Sequence, residues 1–447
     1  MKLYLCGLKI NGCKNLNQTI DLQFCNTTIK SIVDFKNTNI KAIYGPNGAG
    51  KSAIMTAMSI YEQLISNLDN LDNKYFASFI KEVINKDTNK LEIEVTFLIY
   101  REKDHKYLKT FRHYISFVNN NGNVLIEKEC FMGLNGNSIK DDKFKELLCL
   151  NNGKIVKLED KKNKLLNKLF ISELNVFEKK SIVSLSEDLM DEEYSHCALS
   201  VIASNLFALN LFVYLEKEDL HEDYLHNKIY LERALDSSIN EKNKELKDDN
   251  QKNKKLLFNL SVQGYDVINI KSLKDYENNV KKLEMFLKIF KPNLKKIYVE
   301  KKVNENKYFC NKILCYDNEI DIEFESTGIK KLVRIFNSLL MCSNGRIVFI
   351  DEFDANLHDV YFCKLVEFMK VYAKGQLCFT THNLEPIEIL KDNSYSLDFL
   401  SNDSRIFGWI KNGNQSPLKR YINGLIDYSP FNVSVFDFIP SLLNEDN

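Results

Sequence analysis

G-P-N-G-A-G-K-S, residues 45–52, is the stretch on which the fold turns. It fills the pattern G-x-x-x-x-G-K-[ST] completely. A short apolar run, residues 40–44, precedes it, and residues 52–64 follow it with apolar positions at helical spacing. Strand, glycine-rich turn and helix in that order build an anion cradle. In the loop formed by Gly45, Pro46, Asn47, Gly48, Ala49 and Gly50, the glycines let backbone N–H groups wrap a phosphate, at the positive end of the helix opened by Lys51, Ser52 and Ala53. Lys51 is placed to reach β- and γ-phosphates, and the Ser52 hydroxyl to ligate Mg²⁺. The predicted ligands are ATP and Mg²⁺.

Working outward, matching chemistry appears far along the chain. R-I-V-F-I-D-E, residues 346–352, is an apolar strand that releases two carboxylates at its carboxyl end. Taken alone these are helix-capping acids; beside a phosphate loop, Asp351 can hold Mg²⁺ through water and Glu352 can polarise an attacking water. F-T-T-H-N, residues 379–383, ends a second buried strand at His382. A lone histidine is most often structural, but its spacing after the Asp-Glu strand puts it near a γ-phosphate. E-S-T-G-I-K-K-L, residues 325–332, sets Ser326 and Gly328 at a helix start. Ser326 can cap that helix, and the free N–H groups can face an anion held by a partner molecule.

The 447 residues are 44% hydrophobic, enough for a large core in two or three parts. Basic and acidic residues number 61 each, so net charge gives no reason for sequence-independent nucleic-acid binding, although a local basic groove stays open. The eleven cysteines are scattered, without a C-x-x-C pair or ligand-spaced histidine, which argues against zinc and for reduced, buried cytosolic thiols. The N-terminus alternates like a strand and has no signal-peptide run, so a cytoplasmic location is expected. Residues 197–215 carry no charge, yet Ser200, Ser204, Asn205 and Asn210 favour a buried core helix over a membrane span.

Residues 3–10, 18–24, 91–100, 110–118 and 124–131 read as strands. From 144 to about 290 glycine and proline almost vanish and the pattern becomes helical, clearest in the stripe Leu273, Tyr276, Val280, Leu283, Leu287 and Phe290. Residues 241–255 lack the apolar heptads of a coiled coil and read as a solvated helix or helix tip. Strands return at 296–303, 308–316, 319–324, 346–350 and 376–380, with helices at 328–341 and 358–372. The organisation predicted is therefore an N-terminal part, 1–143, a helical insertion or lid, 144–294, and a C-terminal part, 295–447.

The order of phosphate loop, S-T-G-x-K-K helix, I-D-E strand, D-A-N-L-H turn and T-T-H-N strand resembles the ABC-type AAA ATPases. Among these are the ATPases of bacterial anti-phage and abortive-infection systems, the PARIS type included, and they are relatives of the SMC and OLD-family ATPases. The resemblance implies an α/β head, a mixed sheet around the phosphate loop plus an antiparallel β lobe, with a helical insertion. It implies that Lys51 and Ser52 bind nucleotide and Mg²⁺, that Ser326 and Gly328 contact the γ-phosphate held by a second subunit, that Asp354 lies in the inter-subunit turn, and that His382 senses the γ-phosphate. ATP would be sandwiched in a homodimer or larger homo-oligomer.

Three positions depart from the family pattern: Thr327 intervenes before Gly328, Asp359 stands where proline often follows the histidine, and no glutamine occurs from 64 through 250 to ligate Mg²⁺ between the lobes. A defence ATPase is the leading expectation, triggered by a phage protein and controlling a nuclease of Toprim type in trans, since no acidic cluster on successive strands follows the T-T-H-N segment. The alternative is an SMC-like DNA clamp using the lysine-rich pieces 161–168 and 252–255. An ABC transporter subunit fits less well, because the gap from Ser52 to Ser326 is far too long for its compact head.

Overall fold

The computed structural model describes residues 2–28, 38–66, 70–101, 106–134, 138–190, 195–216, 260–262, 265–304, 307–408 and 416–425. The segment 241–255, with its lysines 252–255, lies outside the described residues. The chain forms two compact units, Met1–Asn210 with Cys378–Asn447, and Leu211–Leu377.

Two sheets shape the first unit. Numbering strands along the chain, β1 (Lys2–Asn11) and β2 (Ile20–Gln23) precede β3 (Ile40–Tyr44), and β4 (Lys90–Arg101), β5 (Lys106–Asn120), β6 (Asn123–Leu134), β7 (Phe144–Asn151) and β8 (Lys154–Leu158) follow it. All but β3 join one antiparallel sheet in the order β2-β1-β4-β5-β6-β7-β8. Its core face is legible in β4, where the alternate residues Leu91, Ile93, Val95 and Phe97 are wholly buried. The helix His196–Asn210 packs on β5, β6 and β7 and against the helix Lys51–Ser66. Phe207 stacks on Phe97 with ring centroids 4.6 Å apart. Burial of each ring contributes about 1.5–3 kcal/mol.

In the same unit β3 is buried along its whole length and pairs in parallel with β16 (Leu397–Leu400), which pairs antiparallel with β17 (Ile406–Gly408). Strand β15 (Gln376–Thr380), which enters this unit at Cys378, lies on the other side of β3.

The second unit contains a parallel pair, β9 (Leu211–Tyr214) with β14 (Ile347–Ile350), and a separate antiparallel group. In that group β12 (Lys307–Cys315) pairs with β10 (Asp266–Asn269), β11 (Lys296–Asn304) and β13 (Glu319–Asp321). The predicted helical stripe forms the helix Leu273–Phe290, which buries Tyr276, Val280, Leu283 and Leu287. The helices Thr327–Ser343 and Asp359–Tyr372 flank β14 in sequence.

Three expectations need correction. Helical character does not begin at Phe144: β7 and β8 are a hairpin of the large sheet, turned by Asn152 and Gly153 at φ of +45° and +71°. The uncharged stretch 197–215 is not one helix, because the helix stops at Asn210 and Leu211–Tyr214 runs on as β9; among the described residues no helix is long and apolar enough to cross a membrane. Nor are all cysteines free. The register of β6 and β7 sets Cys130 directly opposite Cys149, with Cα atoms 4.2 Å apart, and the two form a disulfide, while the other nine are buried free thiols.

Candidate nucleotide site

The phosphate loop hangs between a buried strand and a buried helix, which fixes both of its ends. At its start Gly45 passes so close to β16 that a Cβ there would lie 2.5 Å from the Leu400 carbonyl oxygen. At its crest Asn47 and Gly48 are exposed; Gly48 has φ +79° and nothing within 4 Å of where a Cβ would stand. Gly50, at φ +104°, carries the chain into the helix beneath Leu16, and a Cβ would meet the Leu16 Cδ2 at 2.5 Å. The loop thus keeps an open crest of the kind a phosphate fills, with Ala49, Gly50 and Lys51 buried beneath.

Lys51 is buried, and its Nζ donates to the carbonyls of Gly45 at 2.8 Å and Pro46 at 3.0 Å. The ammonium is therefore held over the loop by its own backbone. Ala53 and Ile54 donate their amides to the Gly50 carbonyl, so the helix begins immediately after the glycine. Asn15, on the turn after β1, donates to the Gly48 carbonyl. Below the loop the buried pair Lys41–Asp398, 2.5 Å apart, ties β3 to β16. Burial raises the Asp398 carboxyl above its usual pKa, against the pull of Lys41. His382 is exposed beyond the end of β15. The neighbouring Thr381 amide donates to the Ile43 carbonyl at 3.4 Å, which brings this segment to the strand that delivers the loop.

The remaining predicted residues lie in the second unit. Asp351 is fully buried at the end of β14, and its amide donates to the Tyr214 carbonyl of β9 at 2.9 Å. Glu352 follows at φ +45°, an uncommon conformation for a non-glycine residue. Burial first, then the charges of Asp351 and Glu216, raise the Glu352 pKa above the usual carboxylate value, with Lys331 opposing. Asp354, half-buried, accepts the Leu357 amide through its carbonyl in the turn that leads to His358. His358 caps the next helix by accepting the Val360 amide at 3.3 Å.

Ser326 is exposed at the N-cap of Thr327–Ser343, but its side chain makes no capping bond there, contrary to the sequence reading. The buried Glu325 instead takes the Ser326 amide at 2.8 Å and the Tyr316 hydroxyl. Gly328 permits close packing, since a Cβ would lie 2.9 Å from the Asn356 carbonyl oxygen.

The sequence reading missed Lys331, Glu216 and Asn15. Lys331 looked like one more solvated lysine, yet it is wholly buried and its Nζ lies 2.5 Å from Glu216 Oε2. Burial lowers its pKa, although Glu216 pulls the other way. Taken singly, Ser52 offers a hydroxyl and Asp351 a buried carboxylate, each a hard oxygen donor of the type that suits Mg²⁺.

Residues 216–388 match the family described as "AAA domain, putative AbiEii toxin, Type IV TA system". No curated protein matches the chain. Among solved structures it is similar to an SMC head bound to the C-winged helix domain of ScpA, at 12% identity over 92% of this chain and 98% of that one, with a TM-score of 0.43. It is also similar to a Pyrococcus furiosus Smc head with an extended coiled coil, bound to the C-terminal domain of ScpA (14% identity, 91% and 96%, TM-score 0.40), and to the SMC head domain from Thermotoga maritima (13%, 91% and 99%, TM-score 0.30). The chain thus carries a complete phosphate loop on a strand–helix junction and, over residues 216–388, a matched AAA domain that contains the Asp351–Glu352 strand, the two features expected of an ATPase.

Proposed function

We propose that the ATPase self-associates through composite sites and serves as sensor and scaffold of a defence system, controlling a nuclease supplied in trans. In this reading the head is drawn from both ends of the chain, with a lid between. Gly45 to Ala53 cradle ATP, Ser52 and Asp351 hold Mg²⁺, and Glu352 is the general base. His382 reads the γ-phosphate, while Ser326, Gly328 and Asp354 serve the nucleotide of the neighbouring copy. ATP then joins the heads and hydrolysis releases them.

The observation that carries the composite site is the uncapped helix start at Ser326: Ser326 and Thr327 are exposed at the N-terminus of a 17-residue helix, and the Ser326 side chain makes no capping bond there. The defence role is supported by the matched family, whose description names a toxin of a toxin–antitoxin system. A phage protein as trigger and a Toprim-type nuclease as partner are the expectations that go with it. The test is the solution mass of wild type and Glu352→Gln, with and without Mg·ATP, alongside turnover. Lost turnover with an ATP-locked larger assembly is expected; unchanged mass with persistent turnover refutes the reading.

A second reading, a DNA-clamping ATPase, draws on the exposed Lys161, Lys162, Lys164 and Lys168 at and before the helix Lys164–Ile171. It requires DNA affinity that appears with ATP and falls steeply with salt.

A further inference from the structure

We propose that Lys331 is a positioning residue for Glu352. It ties the backbone of the base to the helix that Ser326 opens, so that the helix end serving one nucleotide and the base serving another move as one piece. The inference rests on the roles proposed above for Ser326 and Glu352.

Lys331 lies in the first turns of the helix Thr327–Ser343 and is fully buried. Its Nζ donates to the Glu352 carbonyl at 2.9 Å, pairs with Glu216 Oε2 at 2.5 Å, and stands 5.0 Å from the centroid of the Tyr214 ring. The Tyr214 hydroxyl donates to the same Glu216 oxygen at 3.2 Å, and the Tyr214 carbonyl takes the Asp351 amide. One ammonium therefore gathers the carboxyl ends of the paired strands β9 and β14 and the start of the helix.

Glu352 is where the backbone most needs holding. Its φ of +45° is unfavourable for an L residue by about 1–2 kcal/mol and persists only where neighbours over-determine it. Its carbonyl accepts two bonds, from Lys331 Nζ and from the Ala355 amide at 3.0 Å. A steric contact joins the same two elements, because Gly328 packs with no room for a Cβ against the Asn356 carbonyl. Stability alone does not account for the lysine. A buried ion pair is often no better than apolar residues of similar volume, because desolvation offsets the attraction. What a methionine of the same length lacks is a donor for the Glu352 carbonyl.

The test compares Lys331→Met with the charge-balanced double variant Lys331→Met/Glu216→Gln in the full chain. The single variant leaves Glu216 without its cation and loses thermal stability; the double variant recovers it. Displacement of a catalytic group by about 1 Å costs on the order of a hundredfold in rate, so kcat is expected to fall about tenfold to a hundredfold in both variants. ATP affinity and association driven by a non-hydrolysable ATP analogue should stay within about threefold of wild type, since the phosphate loop and Ser326 are untouched. Should the single variant not fold, the double variant carries the comparison. Recovery of kcat together with thermal stability in the double variant overturns the proposal, because it would make Lys331 merely structural. Loss of analogue-driven association in the folded double variant overturns it as well. Glu352→Gln run alongside separates two failures: persistent turnover there sinks the base assignment and this inference with it, whereas lost turnover there with unchanged kcat in Lys331→Met sinks this inference alone.

Discussion

Gly45→Ala is the sharpest probe of whether the phosphate loop is held as described. The substitution adds a single methyl group, and that methyl would stand 2.5 Å from the Leu400 carbonyl oxygen and 3.4 Å from the Leu400 Cβ. A carbon–oxygen contact of this kind is comfortable at about 3.3 Å, so something must move by about 0.8 Å. The oxygen belongs to the backbone of β16, a strand buried along its length and paired with β3, so it cannot swing aside like a side chain. The loop is the softer partner: its crest at Asn47 and Gly48 is exposed. Overpacking of this size costs about 1–3 kcal/mol. Because the displaced atoms are those proposed to cradle the phosphates, the expected loss of Mg·ATP affinity is about tenfold to a hundredfold, with 1.4 kcal/mol counted as about tenfold. Titration calorimetry with Mg·ATP measures it, and thermal unfolding checks that the fold survives. Binding within twofold of wild type would refute the packing of the loop on β16 if Lys51→Ala still abolishes binding. If both variants bind normally, the phosphate-loop assignment itself falls.

Two further outcomes follow from the second unit. The pair Lys312–Asp266 is wholly buried at 2.5 Å, with Asp266 also taking the Tyr276 hydroxyl at 2.7 Å and the Ser261 amide at 2.8 Å. Lys312→Met leaves that carboxylate without its cation and should cost about 3–5 kcal/mol in urea unfolding, a loss that Asp266→Asn in the same chain partly reverses. Glu352 must be ionised to act as a base, and its pKa is raised by burial and by Asp351 and Glu216, so kcat should fall with decreasing pH on a limb lying above the ordinary carboxylate range. A pH–rate profile that stays flat down to the usual glutamate pKa would contradict this.

Much of the candidate site was legible because its residues sit on short strand–turn units whose sequence signals are local. The predicted spans 40–44 and 376–380 coincide with β3 and β15, two strands buried on every residue and bounded by glycine or polar turns. What escaped was mostly contact at long range. Nothing in I-K-K-L tells Lys330 from Lys331, since the partner that separates them, Glu216, is 115 positions away. The hairpin β7–β8 was hidden by L-L-C-L, an unbroken apolar run without strand alternation, although the N-N-G turn at 151–153 was a usable hairpin signal. The pairing of Cys130 with Cys149 depends on a register shift between Phe131 and Met132, which the sequence does not announce.

That asymmetry bears on how the site works. The motifs that sequence reveals are the groups proposed to touch nucleotide and metal, each supplied by a few consecutive residues. The groups that hold them are drawn from elsewhere: Asn15 on Gly48, Leu400 against Gly45, Lys331 on Glu352, Asn356 against Gly328. All four contacts are made to a backbone carbonyl. A carbonyl is offered by any residue, so such contacts leave no fixed partner identity in the sequence. They nevertheless hold the backbone of the loop and of Glu352, and a displacement of about 1 Å at a reacting group is enough to lower rate. Variants of the supporting residues should therefore divide by the group they hold: loss of the Lys331 contact on Glu352 should lower turnover and spare binding, as Glu352→Gln is expected to, whereas disturbing the contacts of Asn15 and Leu400 on the phosphate loop should weaken binding.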